Sequence, residues 1–208
     1  RRCQQWQRPQ MEEISMSSQL LRQPAEIRFQ DELQRLHEQD GNVPKPANWY
    51  LSPRSVRAFI LGDEKLNVSR KFYGDDALVD RAIVTLMGKQ GLMLVGEPGT
   101  ARSMLSELLA AAVSNDSGLT IQGTAGTTED HIKYSWNYAL LLAEGPSERS
   151  LVPSPLYQGM AAGKTVRFEE ITRCPPEIQD VMVSMLSDKT MMLPEMGEGA
   201  RLLAQSGF

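Results

Sequence analysis

Apolar positions in the first quarter of the chain follow helical spacing and then give way to a proline-rich stretch. The segment AEIRFQDELQRLHEQ places Ile27, Leu33 and Leu36 at roughly helical intervals among charged residues, which predicts an amphipathic helix. We expect a solvated helix that packs on the main domain, with a partner-binding helix as the alternative. Residues 40–53 hold three prolines and a glycine, which predicts a linker or extended strap.

Two further segments carry helix start signals. In SPRSVRAFILGD, Ser52 stands at the N-cap and Pro53 at the first helical position, a combination that favours helix initiation. In DDALVDRAIVTLMGKQG, Asp75 and Asp76 suit the positive end of a helix dipole, and a glycine closes the pattern. We therefore expect a helix in each segment.

The rest of the chain alternates short apolar runs with helical patterns. Strands are predicted at residues 92–95, 119–123 and 164–171. Helices are predicted at residues 103–113, in EDHIKYSWNYALLLAEG with Ile132, Trp136, Leu140 and Ala143 along one face, and in PPEIQDVMVSMLSDK. This alternation predicts an α/β architecture with a mainly parallel sheet.

Composition narrows the class of protein. The chain has 208 residues, of which 41% are hydrophobic and 23% charged, as in ordinary globular domains. The net charge of -4 and the pI near 5.3 argue against a nucleic-acid binder that relies on phosphate contacts. No apolar run reaches the roughly 18 residues that a membrane span requires.

The cysteines and histidines argue against a disulfide-rich or metal-binding protein, and the first residues argue against a signal peptide. Cys3 and Cys174 form neither a disulfide framework nor a metal pattern, so we expect a cytoplasmic protein. His37 and His131 are too few for a histidine-rich metal site. The opening RRCQQWQRPQ precedes Met11 and lacks the apolar core of a signal peptide. It is typical of vector or upstream-frame sequence and is left out of the fold prediction.

A glycine-rich loop stands between a predicted strand and a predicted helix. It consists of Gly96, Glu97, Pro98, Gly99, Thr100, Ala101, Arg102 and Ser103. The phosphate-binding pattern is G-x-x-x-x-G-K-[ST], so Ala101 replaces the second glycine and Arg102 replaces the lysine. Backbone amides of such a loop and the dipole of the following helix can hold phosphate oxygens. The pattern favours phosphate binding, and a tight structural turn is the alternative.

An acidic pair, Glu169 and Glu170, ends the predicted strand TVRFEEI. A nucleotide hydrolase of this kind needs one carboxylate that holds Mg²⁺ through water and another that polarises the attacking water. Two solvated glutamates at the end of a strand are the alternative. The order, spacing and strand context of the loop and the acidic pair together favour the hydrolase.

The segments LVGEPGTARSMLSELL, QGTAGTTED and FEEITRCPPEIQDVMVSMLSDK resemble the MoxR-like branch of the AAA+ ATPases. The resemblance extends from Phe72 to the C-terminus and implies a P-loop NTPase three-layer sandwich that binds ATP and Mg²⁺. It implies that Ser103 and Glu169 hold the metal and that Glu170 is the catalytic base. It also implies that Tyr73 and Gly74 lie in the adenine-contacting loop.

The resemblance further implies how the protein works. MoxR-like proteins form hexameric rings that remodel protein partners or load metals, often with a von Willebrand A-type partner. We therefore expect a homo-hexamer that hydrolyses ATP to drive the remodelling or assembly of a protein partner. DNA-directed work, as in related rings of restriction systems, is less favoured, because the chain is acidic and lacks a basic aromatic cluster.

Three residues depart from the family pattern. Glu169 stands for an aspartate and lengthens the carboxylate arm by one methylene, while Thr172 replaces the asparagine of an Asn-Arg pair that Arg173 completes. Arg102 is the most consequential departure, because a planar guanidinium does not occupy the place of a compact ammonium. Arginine still binds phosphates, so the alternative function is a nucleotide-binding scaffold or regulator that hydrolyses weakly or not at all.

We divide the chain into an N-terminal extension and linker at residues 1–50 and a partial AAA+ core at residues 51–208. By the resemblance, the final LLAQSGF stands where the strand carrying a polar sensor residue would begin. That strand would lie between the loop strand and the acidic strand, and a helical lid would follow it. We therefore expect the chain to be a C-terminally truncated part of a longer protein.

Overall fold

The computed structural model describes residues 22–88, 90–97 and 99–208, in which helices alternate with short strands. The predictions for RRCQQWQRPQ, for Cys3 and for Pro98 lie outside these residues. None of the described helices combines the length and apolarity that a membrane crossing requires.

Four helices precede the glycine-rich loop: α1 (Ala25–Arg28), α2 (Gln30–Asp40), α3 (Pro53–Leu61) and α4 (Asp76–Met87). The start signals are confirmed, because the side chain of Ser52 accepts the amide of Ser55 and that of Asp75 accepts the amide of Ala77. Each of these caps satisfies a helix N–H that has no intrahelical partner. Residues 41–52 form the predicted linker.

In the described residues, eleven α-helices and β-strands follow the loop. They are α5 (Arg102–Ser114), β1 (Thr120–Gln122), α6 (Glu129–Ile132), β2 (Tyr134–Trp136), α7 (Tyr138–Glu144), β3 (Leu151–Pro153), α8 (Pro155–Ala162), β4 (Arg167–Glu169), α9 (Pro176–Asp188), β5 (Thr190–Met192) and β6 (Arg201–Leu203). The helix predicted at residues 103–113 is confirmed by α5, and the helix predicted in PPEIQDVMVSMLSDK is confirmed by α9. The strands predicted at residues 119–123 and 164–171 are confirmed by the shorter β1 and β4.

The strands of the described residues form three separate pairs. β1 and β4 are parallel, with Ile121 opposite Phe168, whereas β2–β3 and β5–β6 are antiparallel. The predicted mainly parallel sheet is therefore correct for β1 and β4 and wrong for the other two pairs. Antiparallel pairs form between strands that are close in sequence, whereas a parallel pair needs a long crossover.

Residues 92–95 form no strand, contrary to the prediction. Leu92 and Leu94 pack against buried residues, whereas Met93 is 67% and Val95 81% exposed. The inside–outside alternation is that of a strand, but no described strand pairs with it. A strand needs a hydrogen-bonded neighbour as well as a side-chain pattern.

The segment EDHIKYSWNYALLLAEG is not one helix, as predicted, but three elements: α6, β2 and α7. In β2, Trp136 lies opposite Leu151 of β3, and aromatic residues favour this paired conformation. The side chain of Asn137 then accepts the amide of Leu140 and starts α7 anew. The predicted common helical face from Ile132 to Ala143 therefore does not exist.

The buried apolar residues form two clusters. The first joins the N-terminal segment to α3, α4 and α5, and it includes Leu33, Leu36, Trp49, Phe59, Leu105 and Leu108. The second gathers around β1, α8 and α9, and it includes Ile121, Ile132, Leu156, Met182 and Met191. The first cluster therefore holds the helix that begins at the glycine-rich loop, while the second supports the acidic strand, whose Phe168 packs against it.

Polar contacts also attach the N-terminal segment to α5. The buried carboxylate of Glu107 accepts the backbone amide of Ala25 at 3.1 Å and a guanidinium nitrogen of Arg22 at 2.7 Å. The N-terminal residues thus pack on the helix that follows the loop. The division of the chain at residue 50 stays a prediction.

A buried lysine joins α2 to the segment after α3. The ammonium group of Lys71 donates to a carboxylate oxygen of Glu32 and to the carbonyl oxygens of Phe59 at 2.8 Å and Ser69 at 2.9 Å. Burial lowers the pKa of Lys71, and the Glu32 carboxylate offsets part of this effect. For Glu32, burial acts to raise the pKa, but the bonds from Lys71 and Ser69 outweigh it and hold the pKa below its ordinary value.

We predict that Glu32→Gln lowers the free energy of unfolding by about 2 kcal/mol, because it leaves a buried ammonium without its counter-charge. The matched control is Glu38→Gln on the same helix, whose exposed carboxylate meets only Gln34. It should change stability by less than about 0.5 kcal/mol. Urea unfolding measures both.

The effect of Glu32→Gln should also depend on pH. Because the folded pKa of Glu32 is lowered, its stabilising contribution is present above the unfolded pKa, about 4.3. It is lost as the pH falls through the lower folded pKa. A stability difference between wild type and Glu32→Gln that grows on acidification would contradict this interpretation.

Gly123 allows the end of β1 to approach the acidic strand. A Cβ atom at this position would lie 2.6 Å from the carbonyl oxygen of Glu170 and 2.9 Å from Sγ of Cys174.

We predict that Gly123→Ala destabilises the protein by about 1–3 kcal/mol, because the backbone of the acidic strand must move. In the control Gly126→Ala, the new Cβ would meet its nearest atom at 3.9 Å, and we expect an unchanged melting temperature. Equal melting temperatures for both variants would refute the steric argument.

Candidate functional site

The glycine-rich loop closes as a tight turn in front of α5. The hydroxyl of Thr100 donates to the carbonyl oxygen of Glu97 at 2.8 Å. Gly99 and Ala101 both adopt left-handed backbone conformations, with φ of 84° and 56°. A Cβ at Gly96 would lie 3.1 Å from the Thr100 hydroxyl oxygen, so a glycine lets the loop fold back closely.

The loop surface is open to solvent at the N-terminus of α5. Its exposed described residues are Gly96, Glu97, Gly99, Thr100, Ala101 and Ser103. The first amides of a helix have no intrahelical partner and carry the positive end of its dipole. An exposed loop at this position can therefore present backbone N–H groups to phosphate oxygens.

Arg102 begins α5 and folds back along the loop. Its Cδ lies 3.5 Å, and its Nε 3.9 Å, from the position of a Cβ built on Gly96. The side chain is half-buried, so its stem lies against the first residue of the loop motif. The positive charge at the lysine position is thus present, but a planar guanidinium carries it.

The loop helix meets the acidic strand through a hydrogen bond. The hydroxyl of Ser103 donates to Oε2 of Glu169 at 2.7 Å, and the hydroxyl of Ser106 donates to Oε1 at 3.1 Å. The structure therefore brings together the two residues that the sequence predicts as metal ligands. Their roles as ligands stay a prediction.

A guanidinium group from β4 completes this contact. Arg167 donates to Oε1 of Glu169 at 2.7 Å, to the Ser106 hydroxyl at 3.2 Å and to the carbonyl oxygen of Ser117 at 3.1 Å. Burial acts to raise the pKa of Glu169, but the bonds from Ser103, Arg167 and Ser106 outweigh it. The pKa of Glu169 is therefore held below its ordinary value, and the carboxylate stays ionised at neutral pH.

Glu170 differs from its neighbour in conformation and exposure. Its backbone is left-handed, with φ of 56° and ψ of 40°, and its side chain is exposed. Non-glycine residues rarely adopt this conformation, and such strain occurs often at functional sites. The exposed Thr172 and Arg173 follow in a short 3₁₀ turn, Ile171–Arg173.

Tyr73 and Gly74 form an exposed turn before α4. Tyr73 is 81% exposed, whereas Phe72 before it is buried. A Cβ at Gly74 would lie 2.7 Å from the ring of Phe72, so this position needs a glycine. A hydrogen bond joins Ser103 to Glu169. Among the described residues, no hydrogen bond or ion pair joins the side chain of Tyr73 or Glu170 to the loop.

Sequence reasoning missed Arg167, Ser106 and Gly123. Arg167 stands two residues before Glu169 on a strand, so the two side chains leave the same face. Ser106 stands three residues after Ser103 on a helix, which again places both on one face. A charged residue inside the apolar run TVRFEEI is the signal that could have identified Arg167.

The oxygen atoms of Ser103 and Glu169 suit a small, hard cation. Magnesium prefers oxygen ligands at 2.0–2.1 Å in an octahedron, which places adjacent ligand atoms about 3 Å apart. The Ser103 and Glu169 oxygens lie 2.7 Å apart in a hydrogen bond, so a cation held by Ser103 would lie close enough to Glu169 for contact through a water molecule. No group of three histidine, cysteine, aspartate or glutamate side chains in the described ranges could hold a metal alone, so phosphates and water would supply the other ligands.

The chain is similar to a curated protein of unassigned function. A protein of Escherichia coli strain K12, described as uncharacterized protein YehL, is 59% identical over 190 residues, which cover 91% of this chain and 52% of the relative. The chain thus spans about half the length of the curated relative that it matches. No solved structure matches the chain.

The family comparison covers both parts of the candidate site. The model of the AAA domain, dynein-related subfamily, matches residues 91–206, a range that includes the glycine-rich loop and the acidic pair. AAA domains are P-loop ATPases with an α/β fold that bind nucleotide. Because the match covers more than half of the chain, the protein belongs to the dynein-related subfamily of the AAA domain family.

Proposed function

We propose that the chain is the nucleotide-binding part of a MoxR-like AAA+ ATPase that hydrolyses ATP to drive the remodelling or assembly of protein partners. The observation that carries this proposal is the 2.7 Å hydrogen bond between Ser103 and Glu169. It joins the last residue of the loop motif to the acidic strand, 66 residues further along the chain. This contact supports the proposal, because it brings the loop motif and the acidic strand together.

In the binding step, backbone N–H groups of the loop motif and the dipole of α5 hold the phosphates. The Ser103 hydroxyl donates its hydrogen to the Glu169 carboxylate. The lone pairs of the hydroxyl oxygen are therefore available to Mg²⁺. Bound Mg²⁺ supplies positive charge that offsets the negative charge on the phosphate oxygens. The ring of Tyr73 is exposed, with Gly74 beside it, and would contact the adenine.

In the hydrolytic step, a water molecule attacks the γ-phosphorus and the bond to the bridging oxygen of ADP breaks. Glu170 accepts the proton that the water loses, and the products are ADP and inorganic phosphate. The exposed carboxylate of Glu170 is accessible to such a water. Glu169 accepts hydrogen bonds from three side chains. We therefore assign it to metal binding and not to proton transfer.

The alternative function is a nucleotide-binding scaffold or regulator with little hydrolysis. The position of Arg102 favours it, because its stem lies along Gly96 and its guanidinium cannot supply the compact charge of a lysine ammonium. The backbone cradle remains intact in this alternative. In this alternative, nucleotide binding therefore does not require hydrolysis.

Assembly follows from the same family resemblance. We propose a cytoplasmic homo-hexamer that acts with a protein substrate or a von Willebrand A-type partner, and we propose no role for nucleic acid. The net charge of -4 supports the last point. We also keep the division into an extension at residues 1–50 and a core at residues 51–208.

We predict that Ser103→Ala weakens Mg²⁺-dependent ATP binding by about tenfold, equivalent to about 1.4 kcal/mol, because it removes a metal ligand. The matched control is Ser106→Ala, which removes the other hydroxyl on Glu169 but no proposed ligand. Its affinity should fall by less than about threefold. A fluorescent-nucleotide titration with and without Mg²⁺ measures both variants. Equal losses in Ser103→Ala and Ser106→Ala, or a Mg²⁺-independent wild type, would count against the metal site.

We predict that Arg102→Lys raises ATP turnover by at least about tenfold, or about 1.4 kcal/mol of barrier. The physical reason is that the motif cation meets charge that develops in the transition state, whereas ground-state binding comes mainly from amides and the dipole. Steady-state turnover and nucleotide affinity are measured together on the protein at its full natural length. Unchanged turnover with altered affinity would show that Arg102 is a working phosphate ligand.

A further inference from the structure

Arg167 is the cation that lies closest to the proposed metal ligands and has no role in the function proposed so far. Its guanidinium makes four hydrogen bonds, to Glu169, Ser106 and the carbonyl oxygens of Ser103 and Ser117. The side chain is 13% exposed, and that of Glu169 is 18% exposed. The ion pair is therefore largely shielded from water.

We propose that Arg167 neutralises Glu169, so that the site binds a divalent cation only together with the nucleotide phosphates. This inference rests on the proposed function, because it concerns the metal that Ser103 and Glu169 would hold. It assigns Arg167 a positioning and specificity-determining role. Metal capture then depends on nucleotide rather than on the carboxylate alone.

The contacts keep the charge of Arg167 in place. Its Nε bonds to α5 at Ser106, one terminal nitrogen bonds to the Ser117 carbonyl at 3.1 Å, and the other reaches Glu169 at 2.7 Å. These partners lie on three different sides of the planar group. The guanidinium therefore cannot swing away from Glu169 when a cation arrives without losing several bonds.

The two oxygens of Glu169 divide their partners. Oε1 accepts Arg167 and Ser106, while Oε2 accepts Ser103. The guanidinium lies 2.7 Å from Oε1 of the carboxylate that would hold the cation, and a unit positive charge within several ångströms weakens the binding of a divalent ion about tenfold even at the dielectric constant of water. Nucleotide phosphates add several negative charges and reverse this balance.

A purely structural role for Arg167 makes a different prediction. If the guanidinium only ties β4 to α5, any substitution loosens Glu169 and weakens metal binding. If it neutralises Glu169, a neutral side chain strengthens nucleotide-free metal binding, whereas lysine keeps it weak. Arg167→Met and Arg167→Lys therefore separate the two roles.

The experiment titrates the 208-residue chain with Mn²⁺ in the absence of nucleotide and measures free Mn²⁺ by electron paramagnetic resonance. We expect Arg167→Met to bind Mn²⁺ about tenfold more tightly than wild type, with Arg167→Lys within about threefold of wild type. The gain should vanish in the double variant Arg167→Met, Glu169→Gln. Arg167→Gln is a second neutral variant with the same expectation as Arg167→Met, and thermal unfolding checks that each variant folds.

Three results overturn the proposal: no gain in either neutral variant, an equal gain in Arg167→Lys, or neutral variants that fail to fold while Arg167→Lys folds. Fluorescent ATP binding by the wild type in Mg²⁺ separates this inference from the proposed function. If the wild type binds ATP with Mg²⁺ and the neutral variants gain nothing, the inference fails and the proposed function stands. If the wild type binds no nucleotide, both fail.

Discussion

The arrangement of the site depends on the hydrogen bonds that the carboxylate of Glu169 accepts. It accepts hydrogen bonds from the helix that follows the glycine-rich loop, through Ser103 and Ser106, and from its own strand through Arg167. In the described residues no strand lies hydrogen-bonded beside residues 92–95. The acidic strand is hydrogen-bonded to β1, and the side-chain bonds of Glu169 additionally join it to the loop helix.

This contact joins elements that belong to different hydrophobic clusters. α5 is anchored in the first cluster through Leu105 and Leu108, while Phe168 of the acidic strand packs against the second. Each cluster holds its own element by burial of apolar surface, which is non-directional. The direction of approach is set by the hydrogen bonds of Glu169 and by the close contact at Gly123. A small shift between the clusters would thus alter the site before it altered either core.

The sequence predicts those elements whose signals are local. Ser52 and Asp75 start their helices as expected, because an N-cap needs only the next two or three amides. Residues 92–95 do not form the predicted strand, since strand formation depends on a partner that the local pattern does not specify. The helix predicted through Trp136 fails for a related reason. Its pairing with Leu151, 15 residues away, outweighs the helical periodicity.

The candidate site divides in the same way. The loop motif and the acidic pair are visible in the sequence, because each is a short run of residues with a known chemical role. Arg167 is not visible as part of the site, because its role arises from hydrogen bonds to Ser106 and Ser117, which are 61 and 50 residues away. Side-chain networks between distant elements depend on how those elements pack. Such networks can therefore be identified only in the folded structure.

The positive charges of the site explain why binding and catalysis need not change together. In a loop with lysine, one compact ammonium can move with the phosphoryl group, whereas here the charges sit on two guanidinium groups, each held by its surroundings. Arg102 lies along Gly96, and Arg167 is committed to Glu169. The ground state can rely on backbone amides and the dipole of α5, which neither arginine disturbs. In the proposed reaction the transition state needs charge at one particular place, so the placement of Arg102 would bear more on the rate of phosphoryl transfer than on the affinity for nucleotide.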